Sequence, residues 1–178
     1  GAIEIHAETV SLEKGSTIFS TTSGPGKSSD ISVHADDSVG LSGFGSEGES
    51  AFIGTETRSK AENAGNAGNI LIDTQTFSIA DGAKINSLPY GAGHGGDIGV
   101  YAAEKIHLYG TGTDGKGCSV ETGMADLLSD STSESGDILF ETKKLSVHDG
   151  AAISTGSLEK SGDITIRASE SVRLSGHD

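Results

Sequence analysis

The sequence predicts an all-β chain, a right-handed parallel β-helix with three strands per coil and about six coils. Three observations predict it: apolar residues alternate with period two, the alternating segment returns again and again, and glycine-rich turns separate its copies. The recurring phrase is an Asp or Asn, an Ile, a spacer, a second apolar residue, a spacer and a small residue. It reads Asp30-Ile31-Ser32-Val33-His34-Ala35, Asn69-Ile70-Leu71-Ile72-Asp73-Thr74 and Asp163-Ile164-Thr165-Ile166-Arg167-Ala168. The leading Ile falls at 3, 31, 70, 98, 138 and 164, in steps of 28, 39, 28, 40 and 26 residues. Alternate steps match, so the unit is a double coil of about 67 residues, giving repeats 3–69, 70–137 and a partial 138–178 within one solenoid segment, 1–178.

Within a coil the elements follow in order. The first strand points Ile3, Ile5 and Ala7 inward and Glu4 and His6 outward. Ala or Thr at 7, 35, 74, 102, 142 and 168 suits a tight corner. A second short strand carries the inward pairs Val10/Leu12, Val39/Leu41, Phe77/Ile79, Ile106/Leu108, Leu145/Val147 and Val172/Leu174. A third strand offers a small residue, an aliphatic and a hydroxyl, as in Ala83-x-Ile85-x-Ser87 and Cys118-x-Val120-x-Thr122. Asp81-Gly82 and Asp149-Gly150 are read as turns before calcium ligands, since the nine-residue calcium repeat is missing. One coil cannot bury its own apolar face, so stability must come from stacking.

Composition agrees. Gly is 27 of 178 residues, the hydrophobic fraction is 33% and the net charge is −14, values that would suggest disorder if the apolar residues were scattered. They are in register, and the fold must form its core from small side chains. The acidic balance argues against nucleic acid and anionic membrane as partners, and no apolar run is long enough for membrane insertion. The single Cys118 offers neither a disulfide framework nor a CxxC site; its place in the third strand makes it a buried, inert thiol.

The runs Gly65–Ile85 (GNAGNILIDTQTFSIADGAKI) and Ser161–Gly176 (SGDITIRASESVRLSG), with the turn Asp-Gly-Ala-x-Ile at 81–85 and 149–153, resemble repeats of filamentous haemagglutinin-like exoproteins. The resemblance covers nearly the whole chain. It implies a large adhesin exported by two-partner secretion across a Gram-negative outer membrane and displayed at the bacterial cell surface. That family's secretion domain carries Asn-Pro motifs, whereas Pro25 and Pro89 here follow Gly24 and Leu88, so an interior piece of the parent protein is expected.

Candidate chemistry is sparse. The outward row of the first strands is His6, His34, Asp73, Tyr101, Glu141 and Arg167, which places Asp73 and Glu141 about 10 Å apart by the strand spacing, with Tyr101 between them. Polysaccharide hydrolases and lyases of this fold use such faces, and inverting hydrolases need carboxylates ~6.5–9.5 Å apart. A solvated face with a Glu141–Arg167 ion pair is the better-supported reading, so no catalytic residue is assigned. His6 and His34 lie close enough for two metal ligands, but neither His94, His107, His148 nor His177 supplies a third, so no metal or cofactor is expected. Long loops at 43–50, 56–69, 110–117 and 123–136 should project from two corners as a binding surface. Met124, Leu127 and Leu128 are the most apolar loop residues; together with outward Leu71 and Leu139 they form a patch for the chain itself or a neighbour. The expected role is a non-enzymatic structural and adhesive segment of an extracellular stalk or filament. Self-association, end to end or lateral, and host or matrix glycans or proteins are the expected partners.

Overall fold

The computed structural model describes residues 1–59, 64–123, 133–157 and 160–176. Eleven strands and no helix are found among them: β1 (Ala2–Glu13), β2 (Thr17–Thr22), β3 (Asp30–Ser42), β4 (Phe52–Thr57), β5 (Ile70–Ala80), β6 (Lys84–Pro89), β7 (Ile98–Tyr109), β8 (Ser119–Gly123), β9 (Ile138–Val147), β10 (Ala152–Gly156) and β11 (Ile164–Leu174). Odd-numbered strands form one six-stranded sheet in chain order, and even-numbered strands form a five-stranded sheet. Every pairing between strands is parallel. The chain therefore leaves one sheet, visits the other and returns one strand further on, an arrangement that fits a parallel β-solenoid.

The expected rows are in register. Ile3, Ile31, Ile70, Ile98, Ile138 and Ile164 are successive partners across the first sheet. Ile18, Ile53, Ile85, Val120 and Ile153 do the same in the second. Ile53, Ile72, Phe77, Ile79, Ile85 and Val120 lose all solvent contact, so the rows of the two sheets meet in one shared core.

One expectation changes. The first and second strands of each coil are a single strand that passes through a register shift at the small-residue corner. Backbone pairing continues round the bend because a β-bulge absorbs the extra residues. The bulge alternates: one residue (Glu8, Gln75, Lys143) separates corner from ladder in β1, β5 and β9, and two (Asp36-Asp37, Ala103-Glu104, Ser169-Glu170) do so in β3, β7 and β11. The corner residues Ala35, Thr74, Ala102 and Thr142 are buried, as their size suggested.

Two polar ladders hold the remaining corner. Asp30 Oδ1 accepts the Asn69 N–H at 2.6 Å, Asn69 Oδ1 the Asp97 N–H at 3.0 Å, Asp97 Oδ1 the Asp137 N–H at 2.8 Å, and Asp137 Oδ1 the Asp163 N–H at 2.7 Å. Partial burial alone would raise the Asp30 pKa; the Lys27 ammonium and the Asn69 N–H outweigh it and hold the carboxyl below its ordinary range. On the inner side, the third-strand hydroxyls reach the turn glycines. Thr55 and Ser87 donate to the Gly68 carbonyl at 2.6 and 2.9 Å, and Thr122 donates to the Gly96 carbonyl at 2.9 Å. These glycines are stacked so closely that a Cβ on Gly96 would meet the Gly68 carbonyl, and one on Gly136 the Gly96 carbonyl.

Candidate functional site

The outer face of the first sheet is where the outward row was expected, and the register places it there. His6, His34, Asp73, Tyr101, Glu141 and Arg167 are successive partners. Its charges are engaged pairwise. His34 Nδ1 lies 3.2 Å from Asp73 Oδ2, and Arg167 lies 3.5 Å from Glu141 Oε2. These pairs are exposed, so each is worth at most about 1 kcal/mol. Tyr101 stands between the two carboxylates, 37% exposed.

Two adjoining open grooves of about 570 and 580 Å³ share Tyr101 and Arg167 as their common wall. The first runs over Asp73, Glu141 and the corner residues; the second runs over Leu71, Gly99 and Leu139 to the Asp97–Asp137 ladder. Leu71, Gly99 and Leu139 are register neighbours, so the two leucines flank a notch. A Cβ on Gly99 would press on the Tyr101 ring, 3.2 Å away. Glycine therefore lets the tyrosine lean over the notch. Leu71 is 43% exposed, and Leu139 is half-buried. Met124, Leu127 and Leu128, expected to cover or extend this patch, lie outside the described residues.

The corners are of two kinds. Lys14-Gly15, Asp81-Gly82 and Asp149-Gly150 all have positive φ at both residues, near 53–55° and then 78–80°, with an i+3 to i backbone hydrogen bond closing each. These are type I′ turns, which explains the Asp-Gly pairs without calcium. Segments 43–50 and 110–117 are short antiparallel excursions closed by the Phe44–Ser50 and Thr111–Gly117 bridges. Phe44 reaches from the first over Gly82 and Gly112, binding three corners together. The other loops start later than expected, because Glu56 and Thr57 extend β4 and Gly123 ends β8.

Cys118 is fully buried, with Sγ 3.4 Å from the Ile79 carbonyl, and burial pushes its pKa up to about 11. The position is that of an unreactive thiol.

Sequence reasoning missed two clusters. Phe19 and Phe52, on neighbouring strands of the second sheet, form a tilted pair at 5.6 Å with Arg58 5.6 Å over the Phe19 ring. His107 and His148 meet at 2.7 Å between their Nε2 atoms, and His148 Nδ1 lies 2.8 Å from Asp149 Oδ2. The signal was present in both: Phe19 and Phe52 sit at outward positions near the row heads, while His148 follows by two residues the register partner of His107, Ser146. The offset between strand and turn hid the second pair. His6 and His34, neighbours in the outward row, stand with ring centroids 5.8 Å apart, and His34 turns its nitrogens to Asp73 and Asp36. Among the described residues no group of three His, Cys, Asp or Glu converges as a metal cage. Compared with protein-family models, with curated proteins and with solved structures, the chain matches none.

Proposed function

We propose that this chain is a structural and adhesive segment of a large secreted bacterial surface protein, a right-handed β-helix of about six coils forming part of an extracellular stalk or filament. The observation that supports it best is the unbroken parallel register of the rows across both sheets. Strands stacked about 4.8 Å apart make a short rod of about 30 Å, and repetition of the same unit would lengthen it. Right-handedness follows the general bias of parallel crossovers. The net charge of −14 favours a dispersed, extended rod over contact with nucleic acid or anionic lipid. Self-association, end to end or lateral, belongs to the same reading. Electron microscopy of the purified chain over a range of concentrations tests it. Short particles about 30 Å along the coil axis, as a piece of a longer rod would give, or fibres with that axial repeat are expected, and aggregates or particles that fit neither dimension would sink the proposal.

A second reading, binding of host or matrix glycans, is favoured by one observation: the two grooves meeting at Tyr101, with an aromatic ring leaning over an apolar notch. Glycan-array binding by the intact chain, lost on Tyr101→Ala, would support it; an empty array would end it. A polysaccharide-active enzyme is the weakest alternative, because Asp73 and Glu141 are each engaged by a basic partner. Absence of reducing-end release from acidic polysaccharides would remove it.

A further inference from the structure

We propose that His107 and His148 form an open two-histidine site for a divalent transition metal, copper(II) before others, on the outer face of the first sheet. It stands apart from the stalk reading and does not depend on it.

The site is assembled by register. His107 projects from β7 between the buried Ile106 and Leu108. His148 follows the end of β9, where its N–H donates to the Leu108 carbonyl at 3.0 Å. That hydrogen bond carries the parallel pairing one residue beyond the strand and brings the second imidazole beside the first. Tyr109 stacks on His107 with ring centroids 4.2 Å apart and lies 5.8 Å from His148, which fixes both ring planes.

The tautomers follow from the partners. An ionised carboxylate only accepts, so His148 Nδ1 carries the proton that Asp149 receives at 2.8 Å. The Nε2 of neutral His148 is then bare and points at His107 Nε2, 2.7 Å away. Carboxylate, imidazole and bare nitrogen in this order are the arrangement that orients metal-binding histidines and raises their basicity. Asp149 is the first central residue of a type I′ turn that begins at His148, so its position is held by the backbone. The metal takes the place of the one proton shared between the two Nε2 atoms; His107 keeps a proton by changing tautomer from Nε2–H to Nδ1–H, so both imidazoles ligate as neutral rings and no net proton is lost.

Distance selects the ion. With metal–nitrogen bonds of about 2.0–2.1 Å, cis ligands at a right angle stand about 2.9 Å apart, whereas tetrahedral ligands stand about 3.3 Å apart. The observed 2.7 Å needs a small opening for the first geometry and a larger one for the second. Tetragonal ions, copper(II) and nickel(II), therefore fit best, and copper(II) has the higher intrinsic affinity for nitrogen ligands. Two protein ligands leave the remaining positions to water or to a donor from another molecule.

The test is a titration of the intact chain with copper(II) against glycine as competitor, followed by visible absorption and electron paramagnetic resonance. A one-to-one complex with nitrogen hyperfine coupling is expected. His107→Gln and His148→Gln should each lose it by at least about tenfold, and Asp149→Asn, which keeps the turn conformation, should weaken it about 10–100-fold. The double variant His6→Gln/His34→Gln should bind as the parent does. Circular dichroism confirms that each variant is folded. Parent-like copper affinity in both His107→Gln and His148→Gln would overturn the site, as would its loss in the His6/His34 variant alone.

Discussion

Two regions join the same pair of sheets by different means. Between β5 and β6 the chain turns on two residues, Asp81 and Gly82; between β3 and β4 it makes the excursion 43–50, closed by its own Phe44–Ser50 bridge. Both routes deliver the next strand into the same ladder, with Ile53 opposite Ile85. The connection therefore does not set the register; the stacked rows do. Corners are free to vary in length, and it is at the corners that Phe44 and Cys118 are found, with the His148–Asp149 pair beside the tight turn of the third repeat.

The sharpest test of that division compares a row with its own exterior. Ile72 is fully buried in the first sheet, and Leu71 beside it is the most exposed residue of the notch. Ile72→Asp places an unpaired carboxylate among aliphatics and should cost several kcal/mol, enough to unfold a domain of marginal stability. Leu71→Asp should cost less than about 1 kcal/mol, as expected of a surface substitution. Urea melts of the two variants decide it; equal losses would mean that the row is not what holds the chain.

A smaller effect separates the two kinds of corner. Gly82 and Gly48 both have positive φ, 78° and 88°, so Ala at either pays about 1–2 kcal/mol for the left-handed conformation. Around Gly48 there is open space, whereas a Cβ at Gly82 would meet the Phe44 ring. Gly82→Ala should therefore cost about 1–3 kcal/mol more than Gly48→Ala. Most of the excess should vanish in a Phe44→Ala background, leaving only the tight approach to the Gly112 Cα at 3.0 Å, as a double-mutant cycle would reveal. If it persists, the excursion does not brace the tight turn.

Cys118 reports on how tightly the excursion corner closes. It directly precedes β8 after 110–117, as Ala83 precedes β6 after the tight turn, and both are fully buried. With a pKa near 11 and no solvent contact, it should react with a thiol reagent at pH 8 only as fast as the chain unfolds. Labelling that outpaces global unfolding would show that the excursion corner opens on its own.

Much of this was legible beforehand because one physical rule, period-two burial stacked in register, writes itself into every repeat. The six leading Ile positions and the outward row through Tyr101 needed only counting. The corner was less legible. Spacing from leading Ile to the second-strand pair alternates, as in Ile70 to Phe77 against Ile98 to Ile106, and this is the bulge that turns two expected strands into one. Hairpin 43–50 could be placed but not shaped, since Phe44 finds Gly82 and Gly112 only across neighbouring repeats. His107 and His148 escaped for a related reason: one belongs to a strand and the other to a turn, so no row of equivalent positions contains both.

The smallest effect concerns Glu56, which extends β4 where a loop was expected. Its side chain is nearly buried, with Arg58 Nε 3.5 Å from Oε2. Burial raises its pKa, and the Arg58 charge and hydrogen bond only partly offset this. A carboxyl whose folded pKa lies above its unfolded value favours folding below the unfolded pKa, and that contribution is lost as pH rises through the folded pKa. At pH 7 the chain therefore carries the cost of an ionised, partly desolvated carboxylate. Glu56→Gln removes that cost while keeping the shape, so its melting midpoint should exceed the parent's at pH 7 and converge with it toward pH 4. A variant less stable than the parent at pH 7 would mean that the Arg58 pair outweighs burial, and that the end of β4 is held by charge instead of by the ladder that fixes every other strand.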